Sequence, residues 1–123
     1  MSWNFSSGSP LYTQIVEHMV NGILGGKYAM GEKLPSVRDL AVEAAVNPNT
    51  MQKALSELEK CGLVITHRNS GRTVTENDEA IESARDLRAQ ETITDFLQKM
   101  KSLGFSTNQT ITLIEKAGGD FNG

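Results

Sequence analysis

The stretch AAVNPNTMQKAL, from Ala44 to Leu55, decides the fold because it ends one helix and begins another within a few residues. Apolar side chains recur at helical spacing on both sides of the Asn47-Pro48-Asn49-Thr50 run. Proline inside a helix usually ends it, whereas asparagine followed by proline is typical of a helix start. Two helices joined by a turn of about three or four residues must cross. The stretch therefore predicts a helix-turn-helix.

Three helices are predicted in the first half of the chain. The first begins at Ser9-Pro10, with Ser9 expected as its cap, and its apolar residues repeat at four-residue spacing. The second begins at Ser36, which forms an S-x-x-D capping box with Asp39. The third begins at Asn47, and its predicted buried face consists of Met51, Ala54, Leu55 and Leu58.

Two short strands and two further helices are predicted to follow. The strands lie at about 63–67 and 73–76, and a polar turn at 69–71 joins them. After Asn77 comes a long charged amphipathic helix, and a short last helix with a Ser106/Gln109 capping box ends at Gly118-Gly119. We expect disorder only at 1–8 and 120–123. The predicted fold is mainly α with a small β-hairpin wing: a winged helix-turn-helix domain over 1–76, then a two-helix tail over 77–123.

Composition and charge limit the possible functions. The net charge of the 123-residue chain is −3, but residues 1–75 carry seven Lys and Arg against six Asp and Glu. The excess of acid therefore lies in the tail, and the two parts are expected to do different jobs. No apolar run reaches the length of a membrane span and the N-terminus lacks signal-peptide features, so we expect a cytoplasmic protein without a membrane partner.

Catalytic and metal sites are not expected. The chain has no Ser/His/Asp or Cys/His set and no glycine-rich phosphate loop, so we predict neither an enzyme nor a cofactor. The single cysteine, Cys61, excludes an internal disulfide and is expected to be buried. His18 is expected on a helix surface, and His67 is expected to be structural.

The outward face of the third helix carries the residues suited to reading DNA. It presents Asn49, Gln52, Lys53 and Ser56, whose amide, ammonium and hydroxyl groups pair with base edges or phosphates. The alternative for this face is an ordinary polar surface. The alternative function is a winged-helix module that binds protein, which the acidic pI of about 5.3 would suit. The polar character of this face discriminates against it, because a protein-docking face would need exposed apolar or aromatic anchors.

Three arginines are the other candidates for DNA contact. Arg38 lies in the first turn of the second helix, where the helix dipole disfavours a cation and an external anion would compensate it. The alternative is an ion pair with Glu59 or another acid. Arg68 and Arg72 flank the hairpin turn, where basic residues suit the minor groove or the backbone, although such turns are often basic for solubility alone.

The motifs together resemble the winged helix-turn-helix of the GntR family of bacterial transcription regulators. The match covers about residues 10–76, and it rests on the strings Pro10-Leu-Tyr-x-Gln-Ile15, Gly31-x-x-Leu-Pro-Ser-x-Arg-x-Leu-Ala41, Val46-Asn-x-x-Thr50, Ala54-x-x-x-Leu58-Glu59 and Gly62-Leu-Val. The resemblance implies a homodimer that reads a palindromic operator, with helix 48–60 in the major groove and wing 68–72 on the minor groove or backbone.

Carried over by position, the resemblance assigns the DNA-binding residues. Together with the arginines of the wing, the set is Ser36, Arg38, Asn47, Asn49, Thr50, Gln52, Lys53, Arg68, Gly71 and Arg72. The wing departs from the family pattern, since Asn69 stands in place of the first glycine and Thr73 in place of an aromatic residue. Asparagine accepts a positive φ better than most residues, so the turn is expected to tolerate Asn69.

The short tail resembles that of the YtrA-like branch of the family, whose two-helix tail mediates dimerisation and whose members often control transporter operons. The 48 residues from Glu76 to Gly123 are too few to enclose a metabolite pocket of the usual size. Its apolar stripes must bury themselves either on a second copy or on the same monomer. We expect a dimer interface formed by Leu87, Ile93, Phe96, Leu97, Met100, Leu103, Phe105, Ile111 and Ile114. Repression is favoured over activation, and the operator, the genes and any small-molecule effector are not predicted.

Overall fold

The computed structural model describes residues 3–121, with side chains up to residue 118. Five helices and one hairpin follow in the order α1 Leu11–Leu24, α2 Val37–Ala44, α3 Pro48–Lys60, β1 Val64–His67, β2 Gly71–Val74, α4 Asp78–Ser102 and α5 Thr107–Phe121. The chain divides into two compact units, one up to Ala84 and one from Arg85 onward. The described helices include none that is both long and apolar enough to span a lipid bilayer.

The first unit is built around the apolar stripes of α1, α2 and α3. Leu40, Ala41 and Ala44 of α2 are buried, as are the four predicted residues of α3. On α1 the buried residues are Ile15, Met19, Val20 and Ile23. The first two turns of α4 also belong to this unit, because Ile81 lies in its core and Ala84 packs against that core. The unit therefore extends beyond residue 76, where the sequence pattern placed the end of the domain.

The wing is an antiparallel hairpin with an additional backbone partner. Val64 pairs with Val74 and His67 with Gly71, so β2 begins at Gly71, earlier than predicted, and only residues 68–70 form the turn. Lys33 forms an isolated bridge with Thr73. The N–H of Leu34 donates to the carbonyl of Arg72 at 2.9 Å. The loop before α2 thus fixes the hairpin beside the helix-turn-helix, a pairing that sequence analysis did not predict.

The segment before α1 is ordered by Gln14. Its side-chain oxygen accepts from the Ser6 N–H at 2.8 Å, and its amide nitrogen donates to the carbonyls of Ser6 and Ser9 at 2.8 and 2.9 Å. Pro10, and not Ser9, occupies the cap position of α1, without a side-chain capping bond. The prediction of disorder was therefore wrong for residues 3–8 and for residues 120–121, which belong to α5. Its parts at 1–2 and 122–123 lie outside the described residues.

Trp3 explains why His18 is not the plain surface residue that was predicted. The two rings stack with centroids 3.7 Å apart, and the Trp3 indole N–H donates to Glu43 on α2 at 3.3 Å. Burial lowers the pKa of His18, Lys27 lowers it further, and Glu43 opposes both. Trp3 thus joins α1 to α2 through one aromatic contact and one hydrogen bond.

Two element ends also differ from prediction. Cys61 is exposed and not buried, because it is the residue that caps α3 after its last turn. The sequence predicted that the last helix ends at Gly118-Gly119, but α5 continues through these residues to Phe121. Its start is as predicted: Gln109 N–H donates to the Ser106 hydroxyl at 3.1 Å, and Ser106 N–H donates to the Gln109 side chain at 2.8 Å.

Candidate nucleic-acid interface

Helix α3 has one buried and one exposed side. Its apolar face is at most 1% exposed at Met51, Ala54, Leu55 and Leu58. On the other side Asn49, Gln52 and Lys53 are exposed, and Thr50 and Ser56 are half-buried. This arrangement leaves the amide and ammonium groups of the predicted DNA-reading face directed to solvent, where a groove can reach them.

Ser36 and Asn47 act first as helix caps. The Asn47 Oδ1 accepts from the Asn49 N–H at 2.8 Å, and the Ser36 Oγ accepts from the Asp39 N–H at 3.0 Å. Each oxygen satisfies a backbone donor that a helix start would otherwise leave unpaired. Both residues remain exposed, so the Asn47 amide nitrogen and the Ser36 hydroxyl proton are still available as donors.

Arg38 is exposed in the first turn of α2. Within residues 3–121 its guanidinium makes no hydrogen bond or ion pair, so the alternative pairing with Glu59 is not formed. Glu59 is instead bound by Arg72, whose Nε donates to Glu59 Oε1 at 2.9 Å. Arg38 therefore remains available for an external anion.

Arg72 differs from the other predicted arginines because it is already neutralised. Its side chain is 16% exposed, and that of Glu59 is 34% exposed. Hydrogen bonds from Thr66 and then from Arg72 lower the pKa of Glu59, since both favour the charged carboxylate. The pair ties the wing to α3, which makes Arg72 a residue that holds the wing in place as well as a candidate for contact with DNA.

The tip of the wing presents Arg68 to solvent, and one left-handed residue lies in the turn and another directly after it. Asn69 has φ +69° and Gly71 has φ +85°. The expectation that Asn69 adopts a positive φ in this turn is therefore confirmed. Thr73 compensates for the missing aromatic residue by a 2.7 Å hydrogen bond between its Oγ1 and His67 Nε2. His67 is thus structural, as predicted.

Sequence analysis missed the contribution of α1 to this surface. The Lys53 ammonium lies 3.9 Å from the centroid of the Tyr12 ring. Leu11, Tyr12, Asn49, Thr50 and Lys53 line a cleft of about 410 Å³ between α1 and α3. Tyr12 stands in the Pro10-Leu-Tyr motif, but residue spacing within one helix cannot reveal which helix packs beside it.

In the second unit the predicted interface residues form two groups. Leu97, Met100 and Phe105 are half-buried. The larger group is at least 41% exposed and comprises Leu87, Ile93, Phe96, Leu103, Ile111 and Ile114. In a single copy of the chain, over the residues that the structure describes, these apolar side chains are therefore in contact with water.

Comparison with known proteins places the first unit in one family. The description "Bacterial regulatory proteins, gntR family" matches residues 11–74. The chain is 34% identical over 115 residues to the uncharacterized HTH-type transcriptional regulator YhcF of Bacillus subtilis, an alignment that covers 94% of this chain and 95% of YhcF. It is 45% identical over 71 residues to the HTH-type transcriptional repressor YtrA of the same organism, covering 58% of this chain and 55% of YtrA.

A solved structure extends the similarity to both units. A GntR family transcriptional regulator from Listeria monocytogenes aligns with a TM-score of 0.84 at 36% identity, covering 91% of this chain and 98% of that one. The resemblance drawn from the motifs, including that to YtrA, is therefore confirmed, as is the winged helix-turn-helix. Regulators of this family are DNA-binding proteins and not enzymes. The chain belongs to the GntR family, as a transcription regulator with a DNA-binding winged helix-turn-helix domain.

Proposed function

We propose that the protein is a sequence-specific repressor that binds a palindromic operator as a homodimer. Helix α3 lies in the major groove, and the wing contacts the minor groove or the backbone. The observation that carries this proposal is the α3 surface of Asn49, Gln52 and Lys53, which is exposed while the opposite face of the same helix is completely buried. A helix exposed in this way can enter a groove without any change in the core.

The side chains of α3 suit direct readout of bases. The Asn49 and Gln52 amides each present a donor and an acceptor, the pattern that pairs bidentately with adenine. Arg38 lies on the preceding helix and supplies a cation for a phosphate or a guanine edge. No apolar anchor lies among these polar residues of α3, which argues against the alternative of a protein-docking face.

The exposed apolar side chains of α4 and α5 support the homodimer. Large apolar side chains that are about half exposed mark association surfaces when they are concentrated on one unit. Leu97 and Phe105 also line a hollow of about 430 Å³ beside them, which side chains of a second copy would fill. Twofold symmetry then places two copies of α3 about 34 Å apart and predicts inverted half-sites one helical turn apart.

Repression is the mode of transcriptional regulation that requires no surface beyond the DNA-binding one. YtrA of Bacillus subtilis, similar over the first unit, is named a repressor. Binding at an operator is sufficient to block access to it, whereas an activator needs a surface that contacts the polymerase. A reporter gene placed behind the selected operator is therefore expected to lose expression when the protein is produced.

The DNA-binding proposal is tested by selection of duplexes from a random library, followed by anisotropy at two salt concentrations. We expect an enriched inverted repeat and an affinity that decreases as salt increases. Gln52→Ala should weaken binding to the enriched duplex, by about 1–3 kcal/mol. The matched control Gln90→Ala removes an exposed glutamine of α4 and should bind as wild type does. Absence of any enriched sequence would refute sequence-specific binding.

The dimer proposal is tested by sedimentation of the full chain. Phe96 is 41% exposed on α4, and Phe96→Asp should convert dimer to monomer because it places a charge in an apolar interface. The control Val42→Asp makes the same kind of change at a side chain 76% exposed on α2 and should leave the dimer intact. A wild-type chain that sediments as a monomer at high concentration would refute this part of the proposal.

A further inference from the structure

One cation of the DNA-reading helix is held in place by a neighbouring helix. The Lys53 ammonium lies 3.9 Å from the Tyr12 ring centroid, well within the distance of about 6 Å at which a ring attracts a cation. Tyr12 is half-buried on α1, and the buried Ile15 and Met19 hold α1 in the same core as α3. The ring is therefore fixed relative to α3, and it restrains a side chain that would otherwise sample many rotamers.

The cleft beside this pair has the chemistry of an anion site. Its lining comprises the Lys53 ammonium, the Asn49 amide, the Thr50 hydroxyl, the Tyr12 ring and the aliphatic side chain of Leu11. None of these five residues carries a carboxylate. Phosphodiester oxygens accept hydrogen bonds from lysine, asparagine and threonine side chains, and such contacts fix the register of a protein on DNA.

We propose that this cleft receives a backbone phosphate of the bound DNA and that Tyr12 is a positioning residue that holds Lys53 for that contact. The inference rests on the proposed function and assigns Lys53 to the phosphate and not to a base. The Lys53 ammonium is contacted from two sides: the Tyr12 ring lies on one side, and the phosphate approaches from the other. Because a free lysine side chain samples many rotamers, a restrained Lys53 loses less conformational entropy when DNA binds.

The first experiment separates a phosphate from a base. The affinities of wild type and Lys53→Met are measured by anisotropy, over a range of salt, on the duplex enriched by selection and on a scrambled duplex of equal length. We expect the same fold loss on both duplexes, and a slope of log affinity against log salt that is smaller by about 0.9. A loss confined to the enriched duplex would assign Lys53 to a base and overturn the inference.

The second experiment tests Tyr12. Tyr12→Leu should weaken binding by about two- to fivefold, the range that an exposed cation–π contact supports, whereas Tyr12→Phe retains the ring and should bind as wild type does. In the Lys53→Met background, Tyr12→Leu should cause no further loss. An equal effect in both backgrounds, or an equal loss with Phe and Leu, would show that Tyr12 does not act through Lys53.

A second lysine–tyrosine pair in the chain is the matched control. The Lys27 ammonium lies 5.3 Å from the Tyr28 ring centroid, just beyond the C-terminal end of α1. Lys27→Met removes the same charge, and we expect wild-type affinity and an unchanged salt slope. The two proposals can fail separately. If the wild-type chain enriches no sequence but still binds the scrambled duplex, the proposal of sequence-specific binding is refuted. The Lys53 and Tyr12 variants then test the cleft on the scrambled duplex alone.

Discussion

Replacement of Arg38 by alanine should weaken operator binding without weakening the fold. The guanidinium is exposed and has no hydrogen-bond or ion-pair partner in the described part of the chain, so its removal breaks no internal contact. It also lies in the first turn of α2, where the helix dipole opposes a cation by about 0.3–1 kcal/mol. The free energy of unfolding should therefore stay the same or rise slightly. Loss of a DNA contact costs about 1–3 kcal/mol, which corresponds to an affinity about 5- to 150-fold lower.

Arg72→Ala provides the comparison, because the same substitution there breaks an internal bond. The Arg72 side chain is 16% exposed and donates to Glu59 at 2.9 Å, so its loss should lower the free energy of unfolding by about 1 kcal/mol. Urea unfolding and anisotropy on the selected duplex are measured for both variants. Wild-type affinity in Arg38→Ala would remove Arg38 from the interface. A loss of stability in Arg38→Ala equal to that in Arg72→Ala would refute the claim that its guanidinium is unpartnered.

Four further substitutions test the scaffold of the interface. The Leu58 side chain has no exposed area, so Leu58→Ala should lower the free energy of unfolding in urea by about 2–5 kcal/mol. A loss below about 1 kcal/mol would contradict the burial of this face of α3. Gly71→Ala should destabilise by about 1–2 kcal/mol, because φ is +85° and the new Cβ would lie 3.3 Å from Lys33 Cε, whereas Asn69→Gly should be almost neutral in the same assay. The pKa of the Glu59 carboxyl is lower in the folded protein than in the unfolded chain. Ionised Glu59 therefore stabilises the fold above the usual glutamate pKa of about 4.3, and this stabilisation is lost as the pH falls through the lower pKa of the folded state. In Glu59→Gln the free energy of unfolding, measured against pH, should fall less at acid pH than it does in the wild type. The same pH dependence in both proteins would count against the Thr66 and Arg72 contacts.

The helices were predictable because their signals are local. The Asn47 cap, Pro48 in the first turn of α3 and the reciprocal Ser106/Gln109 box all appear in the structure as the sequence indicates. Capping bonds join residues only two or three positions apart, and the apolar stripes repeat within one element. The outward set of α3 followed largely from the same periodicity: Asn49, Gln52 and Lys53 are exposed, whereas Ser56 is half-buried.

The contacts between elements were not predictable from spacing. The partner of Glu59 is Arg72 and not Arg38, because hairpin register and the position of the wing on α3 decide which arginine approaches it. Likewise, the Lys53 contact with Tyr12 depends on how α1 packs on α3. Neither the bridge from Lys33 to the wing nor the stacking of Trp3 on His18 leaves a periodic signal in the sequence.

The stacking of Trp3 on His18 gives this protein a built-in optical reporter. The chain contains a single tryptophan, so all of its indole emission originates where the segment before α1 meets α1 and α2. A change in that emission during a titration with DNA would therefore signal movement of α2 relative to α1 without any added label. An unchanged emission would mean that α1 and α2 keep their relative position when the protein binds DNA.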